Sequence, residues 1–331
     1  MSAGEQLDVS VLLVSFNTRD LLRECLLNLQ READGVAYET IVVDNASRDG
    51  SADMVAAEFP RVQLIRGETN LGFAAANNRA FEIARGRYIV LLNTDAFLRQ
   101  GALRLSVEHM DANPQVGMAG GRLVGRDGHW QPSARMFPSL LNNLLVMSGL
   151  ADRFPKSRFL GRADRSWADP LEPAPVDWVP GAYCIMRRSM LERIGFFDER
   201  FFLYYEEVDL CRRVKAAQSE VWYWPDIVVE HLGGESAKKI KSLKIDRGGS
   251  QIELWRMRAQ LLYFRKHHGT LGAWSSMLLE KFGYRLRAYR NLRSRSAERN
   301  ARLTDIEDEI ATLNQAWRDT KGGRLSPSRP W

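Results

Sequence analysis

Through its first hundred residues the chain alternates short β-rich runs with amphipathic stretches, and this rhythm constrains the fold more than any other feature. The runs Val9–Ser15, Glu39–Val43, Val62–Ile65 and Tyr88–Leu92 are separated by helix-period stretches at 19–32, 51–58 and 73–85. Strands that alternate with helices build a parallel sheet covered on its faces, so an α/β fold is expected. The second helix opens with "NASRDGS", where Asp49 or Ser51 can cap through a side-chain oxygen while Gly50 turns the chain.

Past Asp95 the rhythm changes. A helix over 101–112 is expected to stop before Pro114, and "VGMAGGRLVGRDGHWQPSARMFP" reads as a hairpin turning at Asp127-Gly128. Residues 138–176 read as irregular, with prolines at 155, 170, 173 and 175, and so long a connection suggests a functional loop. A strand "VDWVPGAYCIMRR", helices at 189–194 and 206–217, and a strand "EVWYWP" follow. Beyond His231 the chain reads as helical. Leu303, Ile306, Ile310, Leu313 and Trp317 form one apolar stripe, and the tail "KGGRLSPSRPW" is expected to be disordered.

The 331 residues, 45% of them hydrophobic, suffice for one large domain or two smaller ones. Division into a domain at 1–235 and a basic helical region at 236–331 is expected. Cys25, Cys184 and Cys211 form no CxxC pair and read as reduced structural thiols. The acidic N-terminus lacks the basic start of a secretory signal, and "LGAWSSMLL" is too short to span a bilayer, so a cytoplasmic protein is expected. The formal net charge of +6 is uneven: residues 235–295 hold 15 Lys or Arg and 4 Asp or Glu, a local +11. In "LWRMRAQLLYFRKHHG" and "LLEKFGYRLRAYRNLRSR" these cations interleave with aromatic and aliphatic residues. Such helices can lie on an anionic membrane surface or bury their apolar face in a homodimer. No nucleic-acid module is recognisable, so nucleic acid is not an expected partner.

Two carboxylates, Asp44 in "TIVVDNAS" and Asp95 in "YIVLLNTDA", each end a hydrophobic run. Ligands of open α/β sheets bind outside the carboxyl ends of the strands. One such Asp is equally well a turn former or helix cap, but two with the same layout suggest a site.

The ordered segments "VSVLLVSFN", "VVDNASRDGS", "NLGFAAANN", "LLNTDA", "VPGAYCIMRR" and "FDERFFLYYEEVDLCRR" resemble, over roughly residues 8–235, the signatures of family 2 glycosyltransferases, bacterial rhamnosyltransferases in particular. The resemblance implies a GT-A fold, a Rossmann-like mixed sheet flanked by helices, here with a helical C-terminal extension. It implies an inverting, metal-dependent transfer of a sugar from a dTDP- or UDP-sugar to a saccharide or lipid-linked saccharide, with dTDP-L-rhamnose as the favoured donor. Asp44 would accept from the base imide, which uracil and thymine offer and cytosine does not. Ser15 and Asn17 would line the same pocket, with Asn77 close by, although "NLGFAAANN" reads equally well as a plain helix on the sheet. Asn93, Thr94 and Asp95 would form the acidic turn, with Asp95 and His231 holding Mg²⁺ or Mn²⁺. Asn93 stands where many relatives carry an acid. Arg135, and Arg187 or Arg188, could touch phosphate, although an exposed Arg is more often simply solvated. Glu207 would be the general base, in a Glu-Glu pair where the family usually has Glu-Asp. Asp209 and Arg212 could pair one helical turn apart.

Three rivals remain open: a UDP-sugar-dependent transferase of the same fold, carrying galactose, glucose or an N-acetylhexosamine; a sugar nucleotidyltransferase; and a non-catalytic membrane-surface binding protein. "SFNTRDLLREC" lacks the glycines a nucleotidyltransferase needs after its first strand.

Overall fold

The computed structural model describes residues 7–33, 35–233, 250–292 and 299–327. Contacts divide it into two compact units, one of 7–137, 168–198 and 207–233, the other of 138–167, 199–206 and the described residues from Ser250 onward.

The first unit is a mixed sheet with flanking helices. Its elements are β1 (Val9–Ser15), α1 (Arg19–Glu32), β2 (Tyr38–Asp44), α2 (Ser51–Glu58), β3 (Gln63–Arg66), α3 (Gly72–Ile83), β4 (Tyr88–Leu92), β5 (Ala96–Leu98), α4 (Ala102–Ala112), β6 (Val116–Val124) and β7 (Trp130–Gln131). The second unit contributes α5 (Leu140–Met147) and α6 (Leu150–Arg153) before the first resumes with β8 (Ala174–Pro175), β9 (Tyr183–Arg187), α7 (Arg188–Ile194), α8 (Glu206–Ala216) and β10 (Glu220–His231).

The strand order is β3-β2-β1-β4-β9-β6-β10-β5, with β7 beside β6 and β8 beside β10. β3, β2, β1 and β4 run parallel, while β9 is antiparallel to both β4 and β6. The order reverses between β1 and β4, which opens a crevice at their carboxyl ends. β1 and β4 are apolar without alternation because both faces are covered. Val9, Val11 and Leu13, with Tyr88, Val90 and Leu92, enter one core with α1, α2 and α4. On the other side α3 packs against β1 and β2, with its Ala74, Ala76 and Ala80 buried. The alanine-rich stretch is therefore a helix whose small residues let it pack on the sheet.

Asp49 resolves the capping alternatives: it accepts from Ser51 N and Oγ and also from Arg19 N, so one carboxylate caps α2 and α1 together. The expected hairpin forms, with Gly128 left-handed (φ 78°) and Gly125 paired to His129. Other expectations need correction. Residues 138–176 are not irregular throughout, because Ser139 accepts from Asn142 N and caps α5. Nor does β10 stop at Pro225: an irregularity between Trp224 and Val228 absorbs the missing N–H, and the strand runs on to His231.

The second unit is helical. α9 (Gln251–Leu292) is broken at Gly269 (φ 69°), and α10 (Arg299–Asp319) packs on it. Leu254, Met257, Leu261, Met277, Tyr284, Ile306, Leu313 and Ala316 form its core. A polar network threads the same helices: Glu280 accepts from Arg256, Gln260 and Tyr284, and Gln260 also donates to Ser276. Residues 321–327 of the expected disordered tail are instead folded back on α10, with Gly322 N donating to Trp317 O and Gly323 N to Thr320 Oγ1; 328–331 lie outside the described residues.

Candidate active site

Ser15 is paired in register with Asp44 at the carboxyl ends of β1 and β2, and Asn45 N donates to Ser15 O. Asp44 is only 4% exposed. Its Oδ2 accepts from Ser47 N at 3.1 Å, while Oδ1 is buried without a hydrogen-bond partner. A buried carboxylate oxygen left unpaired costs about 1–3 kcal/mol, and it marks a place where a ligand donor is wanted. The backbone closes tightly around it. Gly67 N donates to Asp44 O at 2.7 Å, and a Cβ on Gly67 would lie 2.8 Å from that oxygen.

Asn17 and Ala46 flank this end in left-handed conformations (φ 55° and 65°). Asn17 ties two loops together, N donating to Ser47 Oγ and Oδ1 accepting from Arg48 N. Asn45, which carried no role in the sequence reading, latches the β2 end to the start of α3: it donates to Asn70 Oδ1 and Gly72 O and accepts from Leu71 N. Asn77 is buried within α3 and donates to Phe73 O, with its own Oδ1 unpaired.

The acidic turn follows β4 directly. Asn93 N donates to Ala182 O, the Cys25 thiol donates to Asn93 O and Ala96 O, and Thr94 and Asp95 are buried. Leu232 N donates to Asp95 O, and β10 pairs His231 with Ala96. These bonds bring His231 Nε2 to 3.6 Å from Asp95 Oδ1. That is longer than a hydrogen bond and close to the roughly 3 Å edge of an octahedral shell with bonds of about 2.1 Å.

Gln131, at the end of β7, sets the imidazole. Its Nε2 donates to His231 O at 2.8 Å, so its Oε1, 2.9 Å from Nδ1, must accept a proton there. Nε2 is left with its lone pair, directed toward Asp95. Burial lowers the pKa of His231 against the raising influence of Asp95 and keeps the ring neutral, as a metal ligand must be. Among the described residues no third His, Cys, Asp or Glu joins the pair, so an octahedral cation would draw its remaining ligands from substrate phosphate and water.

Glu207 lies in the first turn of α8, entered through Tyr204 and Tyr205, both left-handed (φ 71° and 69°). Such backbone costs about 1–2 kcal/mol per residue and recurs at functional sites. Gly181 faces Glu207 and Phe73: a Cβ there would lie 3.9 Å from Glu207 Cβ. Glu207 Oε2 is shielded and has no hydrogen-bond partner. Burial raises its pKa, opposed by backbone N–H groups and the Arg135 charge. Arg135 is positioned by bridging to Trp178 and stacking over that ring at 4.6 Å.

Ala182 therefore links the two halves, bonded to the acidic turn through its carbonyl and preceded by the glycine that faces Glu207. Arg187 and Arg188 are elsewhere. Arg187 is paired with Tyr88, the first residue of β4, and donates to Met110 and Asn113 carbonyls; Arg188 donates to Ala84 O. Both sit at the opposite end of the strands from Asp95, away from the rim that holds the acidic turn. Asp209 is held by Arg213 at 2.9 Å. All three cysteines are buried and free.

The chain is 29% identical over 202 residues to the N-acetylglucosaminyl-diphospho-decaprenol L-rhamnosyltransferase of Mycobacterium tuberculosis (58% of this chain and 65% of that one). It is 26% identical over 230 residues to the rhamnosyltransferase WbbL of Escherichia coli (66% and 80%). This chain thus spans just under two-thirds of the mycobacterial relative's length. The fold is shared with the mannosyltransferase PcManGT of Pyrobaculum calidifontis, solved with GDP-Man and Mn²⁺ (TM-score 0.52, 19% identity, 96% and 76% covered). GalNAc-T7, solved with UDP, GalNAc and Mn²⁺, also shares it (TM-score 0.55, 11% identity, 96% and 57% covered). Residues 10–195, more than half of the chain, match the profile of glycosyl transferase family 2, and to that family of GT-A-fold enzymes this chain belongs.

Proposed function

We propose that this enzyme is an inverting, metal-assisted glycosyltransferase that moves L-rhamnose from dTDP-rhamnose to a hydroxyl of a lipid-linked saccharide on the cytoplasmic side of the cell membrane, in cell-surface polysaccharide synthesis. The observation that carries the reading is the Asp95–His231 pair, its imidazole oriented by Gln131, on the sheet rim that also holds the unpaired Oδ1 of Asp44.

Asp44 Oδ1 would accept the imide N–H of the base. Asp95 and His231 would hold Mg²⁺ or Mn²⁺, which when bound neutralises charge on the departing nucleoside diphosphate. The acceptor hydroxyl attacks the anomeric carbon from the face opposite the phosphate. The carbon–oxygen bond to phosphate breaks, its electron pair leaves with the nucleotide, and Glu207 takes the hydroxyl proton. A single displacement inverts the anomeric centre. Arg135 supplies positive charge beside Glu207, where it can also meet a phosphate oxygen.

Calorimetric titration with a panel of nucleoside diphosphates, with and without Mn²⁺, tests the donor site. Metal-dependent binding of dTDP supports the reading, preference for UDP moves the donor to a UDP-sugar, and indifference to every nucleotide overturns both. Glu207→Gln is expected to bind dTDP normally and to transfer no sugar.

A further inference from the structure

The apolar face of the basic helices divides sharply at Gly269. Before it, Leu254, Met257, Leu261 and Tyr263 are buried inside the helical unit, so this stretch has no apolar face left for a membrane or a second copy. After it, Leu271 (77% exposed), Trp274 (49%), Leu278 (40%), Phe282 (58%) and Tyr289 (51%) recur at intervals of three, four, four and seven and form one exposed stripe. The opposite side of the same segment carries buried Ala273, Met277 and Tyr284. The stripe is therefore not a core face left bare.

A second apolar set belongs to the same unit. α5 packs on α9, with Met147 seated where a side chain on Gly283 would otherwise stand, and Leu144, Val146, Phe154 and Phe159 of 140–159 are exposed. Monomeric proteins rarely leave this much aliphatic and aromatic surface uncovered without a use for it.

The charges choose the occupant. Lys281 and Arg285 lie among the stripe residues, while Arg287 turns to the other side, over Tyr284 and against Glu309; Arg153, Lys156 and Arg158 outnumber Asp152 in the second set. The only acid between 270 and 289, Glu280, is buried and bonded to Arg256 and Tyr284. A second copy of this face would set cation against cation. An anionic bilayer complements both features, accepting aromatic side chains at the headgroup boundary and cations at the lipid phosphates. No helix among the described residues is long and apolar enough to cross a membrane, so contact would be with the interface.

We propose that the exposed face of 271–289, together with 140–159, docks the protein on an anionic membrane surface. This surface is independent of the transferase reading, because vesicle binding is measured without donor or acceptor. The test is flotation of the full chain with vesicles of phosphatidylcholine alone and of phosphatidylcholine with phosphatidylglycerol, at low ionic strength and in molar salt. Binding is expected to the anionic vesicles and to weaken in salt. Lys281→Ala with Arg285→Ala should lower partitioning about thirtyfold, from about 1 kcal/mol per cation. Trp274→Ser with Phe282→Ser should lower it about tenfold or more. Both pairs should leave the melting temperature unchanged, since the four side chains make no core. Failure to float with anionic vesicles overturns the proposal, as does flotation that neither pair of substitutions weakens. A solution dimer that Trp274→Ser with Phe282→Ser dissociates would assign the face to a second copy instead.

Discussion

Because Gln131 donates through its amide nitrogen to the His231 carbonyl, the proton on the imidazole is assigned to Nδ1 by geometry. Gln131→Leu should release the ring and weaken Mn²⁺ binding in the presence of nucleotide about 10–100-fold, while Gln131→Glu, which keeps the acceptor, should recover part of it; electron paramagnetic resonance of free Mn²⁺ reads both. Unchanged affinity in the leucine variant would remove Gln131 from the site. Glu207 carries a different signature. Burial raises its pKa, and only the carboxylate takes a proton, so kcat/KM should rise with pH through a value above the usual carboxylate range and level off above it. An acidic limb at an ordinary carboxylate pKa would argue against Glu207 as the base. The strand-end acids Asp44 and Asp95 were legible in sequence because charge ending an apolar run is a local anomaly. Gln131 and Asn45 were not, since their partners lie 100 and about 25 residues away and polar residues in turns carry no distinguishing local signal.

At the level of elements, β1, β4, α1 and α2 were readable to the residue, because continuous apolar runs and 3.6-residue periods are local properties. α5 was missed although Ser139 offered a cap, since the prolines at 155, 170, 173 and 175 dominated the reading of that stretch. β2 also carries a device with no sequence signal. Glu39, 8% exposed and far from the Asp44 end, accepts from Ser10 Oγ (2.6 Å), Gln63 Nε2 (2.7 Å) and both the backbone and guanidinium of Arg85. It thus ties β1, β2, β3 and the turn after α3 together. Its burial raises the pKa, but the bonds from Ser10 and Arg85 outweigh that and leave it below the usual value. A lowered folded pKa means stability that is full above the unfolded pKa and fades as pH falls through the folded one. Glu39→Ala should cost about 2–3 kcal/mol at neutral pH through the stranded donors, and its denaturation midpoint should depend less on pH between neutral and strongly acidic conditions. Equal pH dependence in both proteins would show that Glu39 is not the titrating group.

Across the whole molecule, two hydrophobic clusters among the described residues share no residue: one surrounds β1, β4, α1 and α4, the other joins α9 to α10. The uneven charge follows the same division, since the basic residues counted in the sequence between 250 and 292 belong to the helical unit, and those at 238–247, 293 and 295 lie outside the described residues. Separate cores imply separate cooperative openings. Leu313 is fully buried in the helical core, so Leu313→Ala removes methyl groups that nothing else there can replace and should cost that unit about 2–5 kcal/mol. Native-state hydrogen exchange should then show faster exchange along α9 and α10. The central strands β1 and β4 should keep their protection, and affinity for dTDP with Mn²⁺ should not change, because every residue assigned to donor binding belongs to the sheet unit. Loss of protection in β1 and β4 by the same amount as in α10 would mean that the cores open as one.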